Sequence, residues 1–250
     1  MPNMTTQICR PFLLSFTFYA LIARGQPPVK DSLPTDTAYA AALDQYHAFL
    51  APETSLYRGD EYAPYGRLLK TGYPYYGEDS ARSGMVFYNG ILYHDVFLLY
   101  DLVYDQVITV NVNHIQKIRL VSQQIDYFTI GQHYFIHLRD SLNPTAPYSG
   151  FYEQLYNGRI LLLEKETKTI QEDLIPGNTA VRFIDGADTA YYLKIGASYH
   201  SVNTTRSLLH MLKDRKKEVR KYIRANNLSM RHDKENTLIK VVTWYDRSEH

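Results

Sequence analysis

From about Leu56 to Ile195 the chain is a succession of short runs rich in Tyr, Val, Ile and Phe, separated by glycine-bearing turns. Alternating runs of this length, broken at such spacing, fit an antiparallel meander and little else. Strands are predicted at about 84–88, 91–100, 106–111, 116–121, 124–130, 132–138, 151–156, 159–165, 180–184 and 189–195. Val96-Phe97-Leu98-Leu99-Tyr100 is apolar on both faces, so both faces must be covered, as in a curved or a two-layer sheet. Pro64, Pro74, Pro144, Pro147 and Pro176 fall between these runs, in loops.

The turns share a chemistry. Tyr57-Arg58-Gly59, Tyr88-Asn89-Gly90 and Tyr156-Asn157-Gly158 each place an aromatic residue two before a glycine. The two Asn-Gly pairs suit the positive φ values of tight hairpins. Ile130-Gly131 and Asp185-Gly186 are expected to turn further hairpins. The spacing is too irregular for a solenoid or propeller.

Helices are expected at both ends. Asp36 can cap one over 36–50, which Pro52 stops. The tail over 204–246 reads as two to three short amphipathic helices. The first is capped by Thr204 or Thr205, the second is basic from Asp214, and the third begins near Asp233. The fold class is therefore mainly β with added helices (α+β), in one β-rich domain over 35–250.

Ahead of that domain, Arg10, the uncharged run Pro11–Ala23 and the small residues Ala23 and Gly25 have the parts of a cleavable secretory signal over 1–25. The run has 13 residues, short of the ~20 that span a bilayer, so no membrane span is expected. Gln26 to Pro34 holds three prolines and reads as an extended leader. Cys9, the one cysteine, would leave with the signal, and a mature chain without cysteine has no disulfide and no thiolate chemistry. The expected location is the periplasm or the cell surface. Without Arg10 and Arg24, 25 basic residues face 26 acidic ones. They are unevenly spread: 13 basic and 20 acidic over 26–205, 12 basic and 6 acidic over 206–250.

Ser83-Gly84-Met85-Val86-Phe87-Tyr88-Asn89-Gly90-Ile91-Leu92-Tyr93 with Leu98-Leu99-Tyr100-Asp101, Gly150–Gly158 and Asp214–Ile223 together resemble a family of exported, β-rich Gram-negative bacterial proteins of unknown function. The resemblance covers roughly 56–245 and implies export and a single β-rich unit. It implies no activity and no functional residue.

Reactive motifs are few. His133 and His137 would share a metal on a helix. The alternation of 131–138 places them on a strand instead, starting ~13 Å apart, whereas zinc–nitrogen bonds are about 2 Å. Adjacent His94 and Asp95 point to opposite faces of a strand. Asp101 and Asp105 share a face if their strand is unbroken, again ~13 Å apart. Asp60-Glu61 and Glu78-Asp79 read as solvated loop charges. There is no G-x-S-x-G, H-E-x-x-H, phosphate loop or dinucleotide fingerprint. No catalytic residue, cofactor or metal is assigned, and nucleic acid is not an expected partner.

Tyrosine departs from the ordinary, with 23 residues against 10 Phe and 1 Trp. Most suit cross-strand packing, but Tyr73, Tyr75 and Tyr76 crowd a glycine- and proline-bounded loop that strand packing does not demand. These three, with Lys216, Lys217, Arg220 and Lys221 of the basic tail, are the candidate partner contacts. The partner would be an envelope protein or glycan at the loop and an anionic surface at the tail. The sequence favours an exported, non-enzymatic binding or assembly protein of the bacterial envelope. Its alternatives are a carrier or sensor holding an apolar ligand in a curved sheet and a hydrolase whose site is assembled across strands.

The leader yields a first test. Mass spectrometry of protein secreted by an expressing cell should find the mature chain beginning at or near Gln26; a chain that keeps Met1 in the cytosol would overturn the export expectation.

Overall fold

The computed structural model describes residues 55–57, 59–63, 65, 69–110, 116–139, 143, 145–175, 179–184 and 186–248. The expected signal, leader and helix over 36–50 lie outside these residues, as does Asp185 of the expected 185–186 turn. The strands are β1 (Asp60–Glu61), β2 (Leu69–Thr71), β3 (Arg82–Tyr88), β4 (Ile91–Asp101), β5 (Gln106–Val110), β6 (Lys117–Arg119), β7 (Ile125–Ile130), β8 (His133–Leu138), β9 (Gly150–Asn157), β10 (Ile160–Thr167), β11 (Ile170–Ile175), β12 (Thr179–Ile184), β13 (Asp188–Ile195) and β14 (Ser198–Ser201). All ten expected strands are present. β1, β2, β11 and β14 are additional, because they are short or polar and carry little alternation. β1 contains Asp60-Glu61, which the sequence placed in a loop, and Asp60 pairs there with Arg119 at 2.7 Å.

Eleven strands form one antiparallel sheet in the order β1-β6-β5-β4-β3-β7-β8-β9-β10-β13-β14. A small second sheet has the order β11-β12-β2, its last pair parallel. The large sheet is strongly curled. β4 and β10 are five strands apart, ~24 Å across a flat sheet at the usual spacing. Yet the Lys168 amide after β10 donates to the Leu102 carbonyl after β4 at 3.1 Å, and Lys165 pairs with Asp105 at 2.7 Å. Bulges help the sheet bend. In one, Met85 faces both His94 and Asp95, with Asp95 at φ 53°, and both of those residues are exposed.

The inside of the curl is filled by rings. Phe128 stacks on Phe135 at 4.7 Å, and Tyr100 meets Phe128, Phe135 and Phe151 edge-on at 5.4, 5.3 and 6.0 Å. Offset and edge contacts of this kind add to the burial of each ring. The space an apolar ligand would need is thus occupied by the protein's own aromatic side chains.

Hairpin chemistry holds where expected at Asn89-Gly90, φ 51° and 80°, the values of a two-residue primed turn. It fails at Asn157-Gly158, where neither residue takes a positive φ. Gly158 serves close approach instead: a Cβ there would collide with the Asp246 carboxylate.

Three helices follow: α1 (Thr205–Met211), α2 (Lys216–Ala225) and α3 (Lys234–Arg247). Thr204 caps α1 in a reciprocal box with Ser207, and Asp233 caps α3 through the Asn236 amide. Leu208, Leu212, Val219, Leu238, Val241 and Val242 bury against Ile160, Leu162, Tyr191 and Leu193 of the sheet. The end of α3 is fastened to the β9–β10 turn. Arg159 Nε donates to Asp246 Oδ1 at 3.0 Å and the Tyr156 hydroxyl to Oδ2 at 2.7 Å. Burial works against the Asp246 charge, but these donors and the Arg159 amide outweigh it and hold the carboxyl below its usual value.

Asp101, 0% exposed, ends β4. The strand breaks between Asp101 and Asp105, as the predicted bounds 91–100 and 106–111 imply, and the turn at 102–105 sends the two carboxylates to different partners. Asp101 accepts from the hydroxyls of Tyr62 (2.6 Å) and Tyr65 (2.7 Å) and from the amides of Val103 (2.8 Å) and Tyr104 (3.1 Å). A buried carboxylate is tolerated only when so satisfied. Asp101→Ala strands these donors, and hydrogen bonds to charged groups contribute about 1.5–3 kcal/mol each. Urea unfolding should therefore show a loss of at least ~3 kcal/mol, with Asp101→Asn intermediate.

Candidate functional site

The tyrosine loop is packed into the fold. Tyr75 is 3% exposed and pairs with Asp101 as an isolated bridge, while the Tyr76 amide donates to the Tyr100 carbonyl at 2.8 Å. The loop thus takes the place beside β4 that β3 vacates. The Tyr75 ring lies against Tyr62, with the Lys117 ammonium 4.8 Å from its centroid. The Tyr73 hydroxyl donates to the Gly77 carbonyl at 2.6 Å, with Lys168 over its ring. Strand packing, which the sequence did not show to demand this loop, does demand it: the strand edge at Tyr100–Leu102 needs a partner, and the loop supplies it. Among the described residues, Tyr148 is 92% exposed and Tyr104 56%.

Tyr76 leads to a group of carboxylates. Its hydroxyl donates to Glu153 Oε2 at 2.9 Å, and His133 Nδ1 lies 2.6 Å from Glu153 Oε1. His137, on the same strand, reaches the Ile125 carbonyl at 3.0 Å instead. Among the described residues no three His, Cys, Asp or Glu side chains are grouped to hold a metal. Glu153 is paired across the strands with Glu164, and Glu164 with Tyr191. Such cross-strand neighbours have Cβ atoms ~5 Å apart. Burial pushes the Glu164 carboxyl up to about 8, helped by Glu235, Glu153 and Glu166. Glu166 and Glu235 are raised too, again chiefly by burial. A neutral acid beside a hydrogen-bonded carboxylate has the elements of acid–base chemistry. Here Glu153 and Glu164 are 8% and 9% exposed.

The basic residues are arranged in the opposite way. Lys216, Lys217, Arg220 and Lys221 lie on α2 and are all exposed, as are Arg224 on the same helix and Arg206 on α1. Val219 turns inward. Lys217, Arg220, Lys221 and Arg224 border one shallow depression of about 440 Å³. Beside α2, Tyr222 stacks on Trp244 at 4.6 Å, and these rings line a second depression with Ile239, Lys240 and Arg247. The sequence pointed to four of these cations. It missed Arg206, Arg224 and the Trp244–Tyr222 pair, which only the packing of α1 and α3 against α2 brings alongside. It also missed Glu153, Glu164 and Glu166, whose proximity depends on strand order.

Comparison of the chain with protein-family models, with curated proteins and with solved structures returns no match.

The carboxylate group makes stability depend on pH with a definite sign. Between its usual value of 4.5 and about 8, Glu164 holds a proton in the folded chain that the unfolded chain has released. Its contribution is complete below pH 4.5 and is lost as pH rises through 8. His137, lowered chiefly by burial, acts oppositely but below its usual value of 6.5. From pH 6.5 to 8 the Glu164 proton should therefore make unfolding free energy fall as pH rises, by no more than ~1.4 kcal/mol per pH unit for one proton, while Lys165 and Lys168, lowered chiefly by burial, act in the opposite sense. Glu164→Gln should flatten that slope in differential scanning calorimetry; an unchanged slope would refute the assignment.

Proposed function

We propose that this chain is an exported, non-enzymatic binding protein of the bacterial envelope that seats its basic helical face on an anionic membrane surface. The observation that carries the reading is the row of exposed cations on α2, Lys216, Lys217, Arg220, Lys221 and Arg224. None of these makes a salt bridge within the described residues. Clustered lysines and arginines are drawn to anionic lipid by about 1 kcal/mol each. Trp and Tyr favour the bilayer–water interface, where an apolar ring and a polar edge are both accommodated; Trp244 and Tyr222 stand beside the cations. No helix among the described residues is long and apolar enough to cross a membrane, so the contact proposed is peripheral. Export is supported by Arg10, Pro11–Ala23 and the small residues before Gln26. The filled interior of the curled sheet gives no support to an apolar-ligand carrier, and the burial of Glu153 and Glu164 gives none to a hydrolase.

Vesicle co-sedimentation tests the reading. The protein should bind phosphatidylglycerol-containing vesicles, release them as salt rises and ignore phosphatidylcholine. Combining Lys217→Glu, Arg220→Glu and Lys221→Glu should weaken binding by ~100-fold or more, at about 1 kcal/mol per cation. Equal binding to neutral vesicles, or indifference to the three charge reversals, would sink the proposal.

A further inference from the structure

Between α1 and α2 lies a depression of about 420 Å³ bordered by Arg206, Lys216, Arg220, Arg224 and Thr205, with Leu209 and Ile223 as its apolar side. On α2, Lys216, Arg220 and Arg224 follow at intervals of four, so the helix aligns them on one face. Arg206 comes from the neighbouring helix. All four cations are exposed, and none is engaged in an ion pair or hydrogen bond within the described residues.

This convergence is unfavourable in the empty protein. Lys216–Arg220, Arg220–Arg224 and Lys217–Lys221 are like-charge pairs at i,i+4, each destabilising the helix. Lys216 and Lys217 also sit in the first turn, at the positive end of the helix dipole. A bound dianion would relieve both costs. Three of the cations are arginines, whose planar forks match phosphate oxygens in pairs.

We infer that the depression formed by Arg206, Lys216, Arg220 and Arg224 is a binding site for a phosphomonoester, carried by a lipid headgroup or by a soluble phosphate ester. The inference rests on the reading of the helical face as the side that meets an anion, but it assigns a discrete pocket where that reading needs only a charged surface. Arg206 separates the two, since it lines this pocket without belonging to the α2 row, whereas Lys217 and Lys221 serve the surface and do not line this pocket.

The experiment has a soluble arm and a vesicle arm. In the soluble arm, inorganic phosphate is titrated by calorimetry and thermal shift at neutral pH, against chloride at matched ionic strength. Phosphate should bind and raise Tm where chloride does not. Arg206→Ala with Arg224→Ala should weaken phosphate at least ~10-fold, because charge-assisted hydrogen bonds are lost. Arg220→Gln should raise Tm without phosphate while reducing the rise that phosphate causes. A merely structural role for Arg220 would not move the two readouts in opposite directions. In the vesicle arm, wild type should prefer phosphatidic acid to phosphatidylglycerol at equal surface charge, and Arg206→Ala alone should lose that preference while the α2 row still binds. Soluble binding without the vesicle preference would assign the pocket to a soluble ester. A phosphate response no larger than that of chloride, or one unchanged in the folded double variant, overturns the pocket. Vesicle binding that survives such a failure leaves the surface reading standing. Phosphate binding with no vesicle binding of any kind refutes the surface reading and keeps the pocket.

Discussion

Asp101 ties together the end of β4, the turn into β5 and the segment around Tyr62 and Tyr65. A carboxylate out of water is among the most costly groups a fold can hold, and only a full set of donors makes it tolerable. Here the donors come from two stretches of chain, the Tyr62–Tyr65 segment and the Val103–Tyr104 turn, so neither can shift without orphaning the charge. Burial, followed by the hydrogen bond to Asp101, holds both tyrosine hydroxyls well above their usual range, so each remains a donor. Tyr65 is fixed again by stacking on Tyr104 at 5.0 Å. The carbonyl of Leu102, one residue on, is where the curl of the sheet closes on Lys168. Placement of the aromatic core therefore depends on this corner.

Charge is handled in two contrasting ways. Glu153, Glu164 and Glu166 gather on adjacent strands, and protons together with Tyr76, His133 and Tyr191 temper them. Free lysines and arginines are present in number, yet they collect on α2. Separating the signs raises the electrostatic energy of both regions. Aromatic packing and the helix–sheet core must offset that energy, which explains why both regions sit on elements with deep apolar anchoring, such as Leu162 below the carboxylates and Val219 below the cations.

Much of this fold was legible in the sequence because alternation is a local property. The runs from Met85 to Tyr100 and from Phe151 to Lys165 declare strands by themselves, and Thr204 and Asp233 declare helix starts. What remained hidden is set by partners distant in sequence. Tyr75 looked like a loop residue because nothing near it shows that β4 outlasts β3. The partners of Asp101 could not be read because Tyr62 and Tyr65 lie 39 and 36 residues away. Asn157-Gly158 carried the signature of a tight turn, but Asp246, far along the chain, dictated the need for a glycine. The same holds for the site. Four cations on α2 could be read from one helix, whereas Arg206 joined them only through the packing of α1.

The large sheet is open, and its two outermost strands are unusual for so wide a structure. β1 consists of Asp60 and Glu61 alone, and β14 is the four polar-flanked residues Ser198–Ser201. Unpaired strand edges are templates on which another chain can add itself, and natural proteins blunt them by shortening and by charge. Both devices operate at β1, and shortness alone at β14. These stunted margins leave a second copy of the chain little backbone on which to extend the eleven-stranded sheet.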